Sequence, residues 1–414
     1  MVFNVENSFI FERGKCIPKI LKLLIFMSNT GVTEYNVVGL MSGTSLDGVD
    51  LAFCRFTFNN NRWTYDIVEA ETTIYSNEWK QALLSLEKTD AFTFQQTHVE
   101  YGSYLGYLAS DFIKKHGLKV DFVSSHGHTI FHTSFQKSFL SNIKNERSEK
   151  KLTVQIGSGS AIAAECSLPV VCDFRSLDVA LGGQGAPLVP IGDKLLFAEY
   201  NFCLNLGGFA NVSYNLLSPS GKGEPVLSMV EGGLRCAYDI CPVNIVMNEV
   251  CKTLGKEYDN EGEFARKGNV NESLLNALDQ LSFYQLPINS PKSLGKEWVI
   301  KNVDPILKKY DLAPTDILRT FCEHVAIQIA NMLNDKPAGK VLVTGGGAFN
   351  TFLMECIKKH SVHQIIVPAK KTIEFKEALI FAFLGVLRMR KEINCLKSVT
   401  GAKHDNIGGA VYIN

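Results

Sequence analysis

The stretch that constrains this chain most lies at residues 37–53. Val37-Val38-Gly39-Leu40-Met41 and Val49-Asp50-Leu51-Ala52-Phe53 flank Ser42-Gly43-Thr44-Ser45-Leu46-Asp47-Gly48. Two apolar runs of strand composition about a turn of small polar residues predict a β-hairpin. Gly43 and Gly48 let backbone approach a ligand, because no Cβ stands in the way. Successive N–H groups aimed into one concavity bind an anion such as phosphate. Asp47 is then placed to hold a Mg²⁺ that travels with phosphates. An ordinary hairpin turn has the same composition, so the rest of the chain must decide.

With 414 residues the chain is long enough for two domains. Lys+Arg and Asp+Glu are 42 each, which leaves no net field to attract nucleic acid or an acidic membrane. Its eleven cysteines are scattered without a C-x-x-C pair, as expected of free thiols in a reducing cytoplasm rather than of a disulfide framework or zinc ribbon. No apolar run approaches the roughly 18 residues of a membrane span. Residues 1–35 read as a dispensable N-terminal extension, with Met27 as an alternative start ten residues before the first convincing strand.

Along the chain, strand and helix patterns alternate, so the class is α/β. Strands are expected at Trp63–Tyr75, Val120–Ser125, Val170–Cys172, Phe202–Leu206, Val212–Tyr214 and Lys340–Thr344. Helical periodicity marks Asn77–Leu86, Thr97–His116, Ser158–Ser167, Pro242–Leu254, Asn271–Leu281, Pro314–Leu333 and Phe375–Arg390. Residues 138–151 read as a polar surface loop or boundary. Three glycine-bearing strand turns stand out: Gly43–Gly48, Gly207-Gly208 and Gly345-Gly346-Gly347. None fits the G-x-x-x-x-G-K-[ST] phosphate loop or the G-x-G-x-x-G fingerprint.

Three such turns in this order resemble the actin-like ATPase and sugar-kinase superfamily. Longer words resemble the anhydro-N-acetylmuramic acid kinase family: Gly39–Asp50, Ser124-Ser125-His126-Gly127, Asp173-Phe174-Arg175 with Gly182–Pro190, and Asn205–Val212. Pro291-Lys292-Ser293 with Gly295, Gly345–Asn350, Glu377-Ala378 and Ser398–Ala402 continue the match in order. The resemblance implies a two-lobed, hexokinase/actin-type fold with an interdomain cleft. Lobe I is expected at 36–155 plus about 375–414, and lobe II at 156–374. It implies ATP and Mg²⁺ as cofactors and a small amino sugar as substrate, with a homodimer left open. The implied reaction converts 1,6-anhydro-N-acetylmuramic acid to the 6-phosphate in cell-wall recycling.

The chain departs from the family pattern where Cys241 and Val243 replace two glycines, which is expected to add side chains at a loop near the cleft. His128 stands in place of Gln, and Leu294 and Lys296 in place of Thr and Arg.

The chemistry requires a base that activates water, a role the resemblance assigns to Asp173. Glu377, in an apolar helix, is either a surface residue or a second carboxylate aimed at substrate. Asp178 reads as a surface carboxylate. Gly43, Thr44, Ser45, Leu46, Asp47, Gly48, Val49 and Asp50 are expected to cradle ATP phosphates. Asn205, Gly207 and Gly208 form a second phosphate turn, and Gly345, Gly346 and Gly347 an adenosine turn or a site of tight strand–helix packing. His126, Arg175, Gln184, Lys292 and Glu377 are the substrate-binding candidates. Three rivals remain on sequence grounds: another actin-like sugar kinase in which Asp173 deprotonates an ordinary hydroxyl, a zinc hydrolase built on His126, His128 and His132 with Asp173, and a nucleotide-binding scaffold without turnover.

Overall fold

A computed structural model describes residues 32–43, 46–135, 150–216, 234–286 and 293–413. Residues 1–31, Thr44, Ser45, positions 138–149 of the polar stretch, and Lys292 lie outside the described residues. β1 (Thr33–Met41) already includes Thr33–Tyr35, which pair with Phe58–Phe56 of the next strand and so are not part of an extension.

β1, β2 (Gly48–Asn59) and β3 (Arg62–Ile74) pair antiparallel. The two-residue β2–β3 turn, Asn60-Asn61, takes positive φ at both positions, the conformation that matches the twist of a tight hairpin. β4 (Phe122–Ser125) joins β1 in parallel. β5 (His128–Phe135) and β6 (Lys150–Ile156) form a separate antiparallel pair. β7 (Val170–Cys172) then returns to the first sheet in parallel beside β4.

The second sheet repeats this plan. β8 (Phe202–Leu206), β9 (Phe209–Asn215) and β10 (Arg235–Pro242) pair antiparallel, and β11 (Lys340–Thr344) and β12 (Gln364–Ile366) add in parallel beyond β8. β13 (Ala410–Tyr412) closes the first sheet against β7. The orders are β13-β7-β4-β1-β2-β3 and β10-β9-β8-β11-β12. One three-plus-two topology used twice is the two-lobed α/β fold that the resemblance implied. β7 belongs to the first sheet, so Asp173, which follows it, does not sit in a second lobe beginning at 156.

Helices cover both faces of the first sheet, which is why its central strands read as unbroken apolar runs. Val38, Leu40, Val49 and Leu51 face the helices Ala91–His116 and Gly159–Cys166. Val37, Ala52, Cys54 and Phe56 face the helix Lys370–Arg390. That helix starts five residues before the expected Phe375 and is buried almost continuously from Phe375 to Leu387. An apolar surface all round fits a helix with structure on every side. It packs on β1, β2 and β4, and also on β11 and the turn Gly346–Phe349 of the second lobe. At Gly39 a Cβ would fall 2.2 Å from the Ala378 carbonyl oxygen, so helix and strand are in backbone contact.

A buried ion network joins the lobes beside this helix. Asp193, on the helix Val189–Leu196, lies 2.8 Å from Lys376 Nζ and 3.9 Å from an Arg235 nitrogen of β10. Ser213 of β9 donates its hydroxyl to Asp193. Arg235 also donates to Asn215 at 3.1 Å.

Candidate active site

β1, β4 and β7 run parallel, so their carboxyl ends share one edge of the sheet, where open α/β sheets bind ligands. The residues that follow each strand are tied together there. Ser42 Oγ donates to the Gly127 carbonyl at 2.8 Å, and His126 Nδ1 lies 2.8 Å from the same oxygen. A carbonyl only accepts, so Nδ1 carries the imidazole proton. Nε2 is then the acceptor for Arg175, whose Nε and Nη2 stand 3.1 and 2.9 Å away. Burial first, and then the Arg175 charge, hold the His126 pKa well below its ordinary value. With both ring nitrogens committed, His126 supports Arg175 instead of presenting a nitrogen to substrate or metal. His132 Nδ1 is likewise bonded to Thr153 Oγ1 at 3.1 Å. Among the described residues no three His, Cys, Asp or Glu side chains gather into a group that could hold a metal ion, so His126, His128 and His132 are not brought together as one.

Asp173 turns the chain from β7 toward a short helix at Ser176–Ala180, with φ +55°. Its side chain is exposed, and Ser176 Oγ donates to Oδ1 at 2.5 Å. Asp173, Ser176, His126, Gly157 and Tyr412 line a cavity of about 290 Å³. Arg175 donates to the Gly185 carbonyl at 2.6 Å and lies over the Phe381 ring. Burial lowers its pKa to about 10, an effect that the neighbouring Glu377 carboxylate partly offsets. Gln184 is exposed, and its backbone N–H bonds Thr400 O at 2.8 Å.

Glu377 is reached by solvent yet surrounded by protein, as at the floor of a recess. Burial and then Asp50 raise its pKa, while Arg175 and Lys376 pull the other way. Asp50 accepts from Thr72 Oγ1 at 2.6 Å; burial raises its pKa, the Thr72 bond opposes this, and Asp47 adds to it. Leu46 takes φ +59° within the turn, and Asp47 is exposed beside Gly48. Gly48 is demanded by the fold itself, because a Cβ there would fall 2.2 Å from Thr73 O.

A carboxylate whose native pKa is raised stabilises the fold only while protonated. That contribution is present below the ordinary value of 4.5 and is lost as pH rises through the native pKa. Glu377→Gln removes the ionisation. The variant is expected to melt higher than the parent at pH 8, with the difference vanishing toward pH 4.5, while turnover falls about 10²-fold. Thermal unfolding at the two pH values, with turnover measured alongside, checks both halves.

Asp178 overturns the expectation of a surface carboxylate: it is fully buried. It accepts from Gly185 N, Thr400 Oγ1, Asn406 Nδ2 and Cys395 Sγ, at 2.8 to 3.0 Å. The sequence showed only a charge in a polar loop. Three of its four partners come from a segment more than 200 residues away, and Gly185 lies seven residues on.

The second group of residues meets at the carboxyl edge of the second sheet. Gly345, at φ +83°, leaves no room for a Cβ, which would fall 2.6 Å from Asn205 Oδ1. Gly347 is equally tight against Leu206. Tight packing therefore accounts for two of the three glycines expected at an adenosine turn. At Gly207 and Gly208 a Cβ would meet nothing nearer than 3.4 and 3.8 Å, so the protein leaves space around this turn. The N–H groups of Val243, Asn244 and Ile245 cap the carbonyls of Gly207 and Gly208. Cys241 and Val243 do not enter the cleft. Both are fully buried in the second lobe's core, which is where the two replaced glycines have put their added volume.

The fold thus joins Ser42, Asp50, His126, Asp173, Arg175 and Glu377 at one sheet, and Asn205, Gly207, Gly208 and Gly345–Gly347 at the other. The helix Lys370–Arg390 touches both. His98, Thr153, Gln155 and Tyr412 also line the Asp173 cavity and were not anticipated. For Thr153 and Gln155 the signal was present, since Leu152–Ile156 alternates polar and apolar residues as a half-buried strand does.

The family model for anhydro-N-acetylmuramic acid kinase matches residues 35–414. A relative of that name from Caldanaerobacter subterraneus subsp. tengcongensis is 33% identical over 92% of this chain and 97% of its own length. One from Vibrio vulnificus is 32% identical over 92% of this chain and 99% of its own. A solved ROK family glucokinase from Streptomyces griseus, in complex with glucose and AMPPNP, aligns with TM-score 0.34 and 11% identity over 86% of this chain and 99% of that one. The match takes in both sheets, the helix between them and every described site residue, and the chain belongs to the anhydro-N-acetylmuramic acid kinase family.

Proposed function

We propose that this kinase opens the 1,6-anhydro ring of 1,6-anhydro-N-acetylmuramic acid with water and phosphorylates O6 from ATP. The products are N-acetylmuramic acid 6-phosphate and ADP, and the role is peptidoglycan recycling and amino sugar catabolism in the cytoplasm. The observation that carries this reading is Asp173: a carboxylate at the end of β7, exposed to a cavity of about 290 Å³, with Oδ1 fixed by Ser176.

In this reading Asp173 takes a proton from the water that attacks the anomeric carbon. The bridge breaks, and the released O6 attacks the γ-phosphate. Phosphoryl transfer needs positioning and charge neutralisation more than covalent help. The turn Gly43–Asp50 supplies N–H groups to the phosphates, with the open turn Gly207-Gly208 opposite. Asn205 leads into that second turn, and Gly346 faces the nucleoside. Mg²⁺ arriving on ATP keeps most of its waters and takes one or two carboxylates, and exposed Asp47 offers one. Glu377, with its proton held more tightly than usual, orients or polarises the attacking water. Arg175 and Lys292 are the cations for the sugar's lactyl carboxylate, and Gln184 borders the same loop.

The test is turnover of the anhydrosugar with Mg–ATP in ¹⁸O-labelled water. Label at the anomeric oxygen together with phosphate on O6 is expected. Phosphorylation of a sugar hydroxyl without anomeric label would reduce the enzyme to an ordinary sugar kinase and remove the ring-opening step.

A further inference from the structure

We propose that Asp178 is a positioning residue: it anchors the Gly183–Gly185 loop so that the Gly185 carbonyl fixes Arg175 between His126 and Glu377. The proposal deepens the functional reading above and rests on it for the part played by Arg175.

Every partner of the Asp178 carboxylate is a neutral donor. Thr400 Oγ1, Asn406 Nδ2 and Cys395 Sγ converge on Oδ1, and Gly185 N–H alone reaches Oδ2. A buried charge is tolerated only when hydrogen bonds replace its hydration. Here those bonds join two segments remote in sequence: the loop after Ala180 and the C-terminal stretch 395–406. The loop lies directly on the carboxylate, since a Cβ at Gly183 would fall 2.2 Å from Oδ2. Gly183 N–H is held by the Asp178 carbonyl at 2.8 Å, and Gln184 N–H by Thr400 O at 2.8 Å.

From this anchor one run of hydrogen bonds crosses the site. Asp178 holds Gly185, and Gly185 O receives Arg175 Nη1 at 2.6 Å. Arg175 donates to His126 Nε2, His126 Nδ1 donates to Gly127 O, and that oxygen receives Ser42 Oγ–H at the first turn. Such chains polarise one another and share one geometry. Small misplacement of a positioning group costs up to about 10²-fold in rate.

Asp178→Asn preserves volume but replaces one acceptor with an N–H donor, so it cannot serve donors on both sides. In full-length enzyme labelled with ¹⁵N-histidine, the His126 titration is expected to move up toward the ordinary value as Arg175 withdraws. Arg175 and His128 are the charged or titratable neighbours that hold it down. The anhydrosugar kcat/KM is expected to fall about 10²-fold, with the KM for ATP within about twofold of the parent. Thr400→Val removes one donor and keeps the carboxylate. It covers the case of an Asp178→Asn chain that fails to fold, with a shift in the same direction and a loss of about 10-fold. An unchanged His126 titration in the folded variants, or a rate loss fully explained by a smaller folded fraction, overturns the proposal. If the parent enzyme itself fails to turn over the anhydrosugar, the functional reading falls, and the His126 titration alone then decides the role of Asp178.

Discussion

Asp173→Asn is expected to lower turnover of the anhydrosugar by on the order of 10⁴-fold, the upper end of what a positioned base contributes. The replacement keeps size and polarity and removes only the capacity to take a proton. Asp173 is exposed and bonded through Oδ1 to a neighbouring hydroxyl, so the fold does not depend on its charge. Melting temperature and ATP binding should therefore stay close to those of the parent. Ser176→Ala, which frees the carboxylate to rotate, should cost only about 10-fold. Turnover by Asp173→Asn within 10-fold of the parent would remove this residue as the base.

The largest expected loss of stability comes from Asp193→Asn. Asp193 is one carboxylate facing two cations, Lys376 and Arg235, with side chains of 4%, 6% and 1% exposure. Burial, the largest effect, opposes the charge on Lys376, but the attraction and hydrogen bond of Asp193 together with Cys203 outweigh it, so its pKa is raised. Removing the anion strands two buried positive charges, and breaking a buried pair in this way costs about 3–5 kcal/mol. Lys376→Met should cost less, because Arg235 and Ser213 still satisfy Asp193. The double variant should recover part of the Asp193→Asn loss. Urea titrations of the four proteins measure the coupling. Additive losses would show that the three groups do not act as a unit. The network spans the helix Val189–Leu196, the helix Lys370–Arg390 and strands β9 and β10, so it also bears on how the lobes are held.

Much of the secondary structure was legible because its causes are local. The apolar runs and turn chemistry of 37–53 marked the β1–β2 pair. Ser158 stood where a helix begins, and it accepts a hydrogen bond as the N-cap. Strands β5, β6, β10, β12 and β13 were missed. All five are edge strands, β5 and β6 of a two-stranded sheet, and each has a partner on one side only to complete its pattern. The helix starting at Ala91 was expected only from Thr97, because its first turn is set by the Asp90 cap and not by apolar spacing.

The resemblance read from the order of glycine turns and short words was specific enough to name the family. Those words are runs of adjacent residues, and adjacency is what a sequence records. It did not reveal that β7 lies in the first sheet, that Asp178 is buried under a loop, or that Cys241 and Val243 turn into the core. Nor did it show that His126 spends both nitrogens on Arg175 and Gly127. Each of these depends on segments tens to hundreds of residues apart being brought within about 3 Å. Burial and hydrogen-bond partners are properties of that assembled neighbourhood, so the charge and role of a side chain follow from packing, while its chemical type and local backbone preference are already present in the chain.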